Sequence, residues 1–159
     1  MNYKLILPFA ALLNAGLFLL SGQPSAQPAI FTREQAEAGR IAFENTCGQC
    51  HTATLMGRKS EPGELPPVSS LSAEYQKFIG PRGYVAPLAG DGFIDRWGAK
   101  TASQLIARFQ ETVSSFPPEG MNNETTVNIT AFVLQVNGAK AGTRPLTRST
   151  EIIVRSTIR

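Results

Sequence analysis

The sequence predicts an all-α domain, three to five helices separated by long loops. Three observations predict it. Two capping-box patterns, Thr32-Arg33-Glu34-Gln35 and Thr101-Ala102-Ser103-Gln104, each open an apolar stripe at helical spacing, and a third stripe closes on Asn137-Gly138. Between the stripes, 14 glycines and 11 prolines break the chain into loops. The run Cys47-Gly48-Gln49-Cys50-His51 holds both cysteines and the only histidine, and it lies directly after the first stripe.

The N-terminus reads as a secretory signal over residues 1–26. Lys4 gives a positive start, Leu5 to Leu20 is mostly apolar, and small and polar residues follow from Ser21 to Gln27. Cleavage is expected after Ala26, with Pro24 a poor minus-three residue. An uncleaved membrane anchor is the alternative, although the run falls somewhat short of the roughly 20 apolar residues that a spanning helix needs. No cysteine follows the run, so a lipid-anchored N-terminus is not indicated.

Thr32 opens the first helix, with Gln35 reaching back to its backbone and Ala36, Gly39 and Phe43 on one face. Glycine within a helix costs about 1 kcal/mol against alanine, which a close helix crossing would justify at Gly39. Glu61-Pro62-Gly63-Glu64-Leu65-Pro66-Pro67 is loop, Ser72 is a cap for a short helix bearing Tyr75, Phe78 and Ile79, and Gly80-Pro81-Arg82-Gly83 ends it. Val85 to Gly90 is read as extended. The second capping box opens a helix with Leu105, Ile106, Phe109 and Val113 as its stripe, and Phe116 to Met121 is loop. The last long helix starts near Asn122 or Asn123, with Ile129, Phe132, Val133 and Val136 inward and Gly138 as its stop. Residues 27–142 thus form one domain, and residues 143–159 a basic C-terminal tail with Arg144, Arg148, Arg155 and Arg159, in which Ile152 to Val154 forms a short strand or lies against the domain. No internal repeat is present.

With the signal removed, about 130 residues remain, the size of a single domain. The whole chain has 15 Lys and Arg against 12 Asp and Glu, a net +3. A balance so near neutral gives no case for nucleic acid as a partner or for long-range steering.

The chemistry lies in the cysteine run. Two thiols three apart share one face of a helical turn. That spacing lets Cys47 and Cys50 each add to one vinyl group of a haem, and His51 then sits beneath the iron as an axial ligand. The pattern reads as attachment of one haem c. Three other readings stand beside it. A redox dithiol of thioredoxin type normally follows a strongly apolar strand, whereas Arg40 to Thr46 looks helical. Zinc needs four ligands, and two cysteines and one histidine are all the chain has. A disulfide between such near neighbours closes a tiny loop and stabilises little. Export fits haem attachment, since in an oxidising compartment free thiols would otherwise tend to pair.

Helix, haem motif, loops, helix, methionine-bearing loop and terminal helix together resemble class I cytochromes c over most of residues 31–142, most specifically at Cys47, Cys50, His51 and the helix end Leu134-Gln135-Val136-Asn137-Gly138. Pro87-Leu88-Ala89-Gly90 with Phe93, Trp97 and the Thr101 helix is similar to small bacterial cytochromes that accompany quinoprotein alcohol dehydrogenases. The resemblance implies a cytochrome c fold wrapped around one covalent haem and a crossing of the first and last helices at Gly39 and Phe43 against Phe132. It also implies a backbone carbonyl on the His51 ring, with Pro66, Pro67 and Pro87 as candidates. The implied function is periplasmic transfer of one electron between redox proteins, with a dehydrogenase as donor and a terminal oxidase or another cytochrome as acceptor. It implies no enzyme activity, and membrane contact only if the signal is uncleaved.

Met121 stands where the axial methionine of that family lies, in a Pro/Gly loop before the last helix, and is the expected sixth ligand and second metal ligand after His51. It departs from the family pattern, in which the methionine directly precedes a proline: here Phe116 precedes Pro117-Pro118 and Met121 follows them. Met56 is on the same connection as His51 and does not easily reach the opposite iron face. The alternative is a haem enzyme or a gas- or peroxide-binding protein with an open sixth site, weakened because no second histidine is left for distal acid–base work. Trp97 is expected in the core or pocket wall. Tyr75, Tyr84, Arg82 and Arg96 are candidate propionate partners, with a solvated role the plainer reading of each arginine.

Overall fold

The computed structural model describes residues 27–59, 63–81, 83–113 and 121–158. The predicted signal, Arg82 and Phe116 to Gly120 lie outside them, as does the side chain of Val113. The described chain is all-α. Its helices are α1 (Arg33–Thr46), α2 (Gly48–His51), α3 (Ala73–Gln76), α4 (Asp91–Trp97), α5 (Ala102–Val113), α6 (Asn123–Val136) and α7 (Val154–Thr157), with a 3-10 turn at Val68–Ser70. Among the described residues there is no strand. Pairing is limited to isolated bridges, Arg58 with Val85, Lys59 with Pro67 and Thr101 with Ile153. No described helix is long and apolar enough to cross a membrane.

Both capping boxes form. Thr32 Oγ1 accepts from the Gln35 amide at 3.3 Å while Gln35 Oε1 accepts from the Thr32 amide at 3.2 Å. Thr101 and Gln104 repeat the exchange at 3.3 and 3.1 Å. Each pair satisfies two of the backbone donors that a helix start leaves open. Asn122 caps α6 by accepting from the Thr125 amide at 2.8 Å. Ser72 occupies the cap position of α3, but its hydroxyl makes no capping bond.

The core is built on the crossing of α1 and α6. Gly39 lies directly against the Asn128 carbonyl, close enough that a Cβ there would overlap it. One turn on, the rings of Phe43 and Phe132 meet at 5.4 Å between centroids and 54° between planes, a tilted packing that aromatic pairs favour. The close approach expected of Gly39 is therefore present. On α6, Thr126 and Thr130 are also fully buried. Their hydroxyls donate to the Asn122 and Thr126 carbonyls one turn back, so neither is left unsatisfied. Val136 differs from expectation. It is 44% exposed, although its neighbours Val133 and Leu134 are fully buried.

Two elements depart from the sequence reading. α4 forms where no helix was read. It is seven residues long and starts after Gly90, whose φ of +70° makes it a cap without a side chain. The stretch 143–159 was read as a basic tail; its described residues, 143–158, are packed onto the domain. Leu146, Val154 and Thr157 are buried. The Leu146 amide donates to Gln35 Oε1 at 2.8 Å, and Gln35 Nε2 returns a bond to the Leu146 carbonyl at 2.9 Å. Farther on, the amides of Ala102 and Ser103 donate to the carbonyls of Ile152 and Thr150, and those of Val154 and Arg155 to Lys100 and Gly98. Val154 begins a helical turn, so Ile152 to Val154 lies against the domain without becoming a strand.

Candidate haem site

The site grows out of the end of α1. Cys47 is the C-cap of α1 and the residue from which α2 starts. The amides of Cys50 and His51 both donate to the Cys47 carbonyl, at 3.1 and 2.9 Å, and that single turn sets the spacing of the two thiols. The thiols are not joined to each other. Cys47 Sγ lies 3.4 Å from Thr46 Oγ1, and burial pushes its pKa up. Burial raises that of Cys50 as well, against an opposing pull from the nearby Arg58 charge. Burial thus favours the neutral thiol form of both groups.

The His51 ring is held by one bond. Its Nδ1 is 3.0 Å from the Ala86 carbonyl oxygen. A carbonyl only accepts, so Nδ1 carries the proton and Nε2 keeps a free lone pair. Such a bond fixes the tautomer of a ligating histidine and raises its basicity. The candidates Pro66, Pro67 and Pro87 give way to Ala86. Pro66 accepts from the Lys59 amide, and Pro67 is taken up by Ser70 and Arg58. Ala86 is fixed from both sides, by the Arg58–Val85 bridge before it and by the Leu88 amide donating to the Leu55 carbonyl at 2.7 Å after it. Pro87 follows and locks the local backbone.

Burial pushes the His51 pKa down to about 4, with the Ala86 bond opposing. Unfolded, the ring takes a proton near its ordinary value of 6.5; folded, only near 4. Protons therefore favour the unfolded chain in that window. Without a cofactor, the stability this group gives is fully present above about pH 6.5 and falls as the pH drops toward 4, by on the order of 3 kcal/mol in all. Urea midpoints measured on either side of the window should differ in that direction, and a His51→Gln chain should lose most of the difference.

A cleft opens beside these groups. Cys47 and His51 stand at one side, with Ala86, Pro87 and Leu88 beside them. Trp97, Phe109 and Ile129 supply apolar walls, while Arg96 and Arg108 also line it. A thiol, an imidazole with a free Nε2, apolar walls and two cations suit a flat, largely apolar ring that carries carboxylates. The lining residues suit a haem that Cys47 would tether and His51 would ligate; Cys50, the second expected tether, is one helical turn from Cys47 and is not among the lining side chains.

Trp97 lies in the cleft wall, as expected. Of the proposed carboxylate partners, Arg96 lines the cleft, whereas Tyr75 and Tyr84 do not. Met121 is half-buried and packed against the hydrophobic core just before the Asn122 cap, and it is not among the cleft-lining side chains. Met56 is 38% exposed, with its sulfur near Gly90. Sequence reasoning missed Ala86, Arg58, Arg108 and Asn137. Asn137 was read only as part of a helix stop, yet its amide donates to the Leu88 carbonyl at 2.9 Å and its Oδ1 accepts from the Gly90 amide at 3.0 Å, tying α6 to the cleft-lining segment.

Among the described residues, no group of three His, Cys, Asp or Glu side chains is placed to share an ion. The donor set thus gives no support to the zinc reading. No family model matches the chain, and no curated protein or solved structure matches it.

Proposed function

We propose that this chain is a periplasmic electron carrier of the class I cytochrome c type, with one haem c bound through thioethers from Cys47 and Cys50 and ligated by His51. The observation that carries the reading is the His51 ring. In a chain with one histidine, that side chain is half-buried, neutral, aimed through Nδ1 at a carbonyl and left with Nε2 free, next to a thiol and in the wall of a partly apolar cleft. The close Gly39–Asn128 and Phe43–Phe132 crossing of α1 and α6 supports the cytochrome c fold.

When bound, the haem supplies a one-electron couple at iron. The protein's part is to set that couple and to exclude water. The Ala86 carbonyl keeps the imidazole basic, and the apolar walls lower the local dielectric. The exchange partners are redox proteins, a dehydrogenase giving and an oxidase or another cytochrome taking, which meet a small transient contact. Export by the residues 1–26 leader belongs to the same reading.

Met121 is proposed as the sixth ligand. A thioether is soft and favours reduced iron, so Met/His ligation raises the potential. The oxidised protein is expected to show the weak sulfur-to-iron charge-transfer band, and Met121→Ala to abolish it; a band that survives the substitution removes Met121 from the site. The second reading, a haem protein with an open sixth position, draws support from the absence of Met121 from the cleft lining. Fast carbon monoxide binding by the reduced wild-type protein would favour it. A reduced-minus-oxidised visible spectrum, taken after maturation with haem-attachment machinery, tests both readings against a colourless thiol protein.

A further inference from the structure

We infer that Arg58 is a positioning residue for the His51 imidazole, clasping the Cys-x-x-Cys turn to the segment that orients the ring. The inference rests on the haem reading above and adds to it a residue that the motif does not contain.

α2 is a single turn, and the chain leaves it abruptly: Thr52 has φ +65° and ψ 167°. A helix that ends there leaves its last carbonyls without helical partners. The Gln49 carbonyl, inside the motif, is taken by Arg58, which donates to it from Nε at 3.1 Å and from Nη2 at 2.8 Å. The His51 carbonyl is taken by the Gly57 amide at 3.0 Å. The remaining arm of the guanidinium, Nη1, donates to Ser70 Oγ at 2.8 Å and to the Pro67 carbonyl at 3.4 Å. One planar fork therefore joins the turn bearing both thiols to the loop after it, an arrangement for which a lysine ammonium lacks the rigid geometry.

The same residue acts through its backbone. The Arg58 amide donates to the Val85 carbonyl at 3.3 Å, and the Val85 amide donates back at 2.9 Å. Val85 immediately precedes Ala86. Arg58 thus holds the imidazole's base, through Gln49, and the imidazole's acceptor, through Val85. Gly57 lets the two strands of this clasp meet, since a Cβ there would overlap the Val85 carbonyl. With the fork removed, the Gln49 carbonyl turns to water and the turn shifts against Ala86. The Nδ1 bond weakens, the imidazole donates less, and ferric iron is less stabilised. A neighbouring cation acting by charge alone would have the opposite sign, because deleting it favours ferric iron.

The test uses the haem-loaded full chain and its Arg58→Lys, Arg58→Ala and Ser70→Ala variants. Arg58→Lys keeps the charge, the stem and the backbone pairing and removes only the fork. It is expected to raise the reduction potential by the equivalent of about a tenfold change in the ferric-to-ferrous balance, about 59 mV for one electron, within the 10–100-fold effects seen for outer partners of metal ligands. It should also shift the His51 Nδ1–H resonance and speed its exchange with water about tenfold. Ser70→Ala, which removes one partner of the fork, should move both in the same direction by less, and it answers the question if the Arg58 variants fail to mature. A potential and an Nδ1–H signal unchanged in Arg58→Lys, or a lowered potential in Arg58→Ala alone, overturns the inference while leaving the haem reading intact. A colourless wild-type protein overturns the haem reading and this inference with it.

Discussion

Gly39→Ala is expected to lower stability by about 3 kcal/mol or more. Ordinary overpacking of a core costs about 1–3 kcal/mol because side chains can yield. Here the added Cβ would overlap the Asn128 carbonyl and stand 2.9 Å from the Ile129 nitrogen. These are backbone atoms in mid-helix, so relief requires α6 to move as a body. That movement separates Phe43 from Phe132 and disturbs Thr126 and Ile129, which line the cleft. The gain of about 1 kcal/mol in helix propensity on replacing glycine is too small to offset it. A urea midpoint lowered at unchanged slope is the expected record, with loss of bound pigment in parallel. A neutral or stabilising effect would mean that the helices do not cross at Gly39.

His51→Ala is expected to have the largest effect on function. No other histidine exists to replace it, and the Ala86 carbonyl is left without its donor. Haem held only by Cys47 and Cys50 would keep its tether and lose its proximal nitrogen. Axial ligand identity spans haem potentials over about 0.8 V, so a change on the order of 0.1 V or more is expected, together with loss of the sharp bands of the reduced protein. Added imidazole should enter the vacated space and restore much of the spectrum. An unchanged spectrum in His51→Ala would show that the iron is ligated elsewhere.

What the sequence made legible was local. Both capping boxes are four-residue patterns, and both formed with the predicted partners. Gly39 in the middle of a helical stripe was readable because glycine is costly there and so points to a contact. The His51 acceptor was not readable. Ala86 lies 35 residues away, and any residue carries the carbonyl required, so no side chain marks the position. Arg58 is hidden for a similar reason, since its acceptors are mainly backbone carbonyls and the residue looks like one more surface cation. α4 escaped because a seven-residue helix with glycine at its cap and at its second position offers neither a capping side chain nor a full period of apolar spacing. Gly92 is explained by packing, as a Cβ there would lie 2.8 Å from Pro87 Cγ. The C-terminal stretch looked like a tail because its charge is conspicuous, while its anchors, Leu146, Val154 and Thr157, are single residues at irregular spacing.

The central claim is that a porphyrin is bonded to this chain through sulfur. The most direct measurement is extraction of the denatured, purified wild-type protein with acidified acetone, followed by the spectrum of protein and extract. Thioether attachment predicts that the colour stays with the polypeptide and that Cys47→Ala/Cys50→Ala releases it. Pigment that leaves the wild-type chain, or a chain that never carried any, would contradict the account.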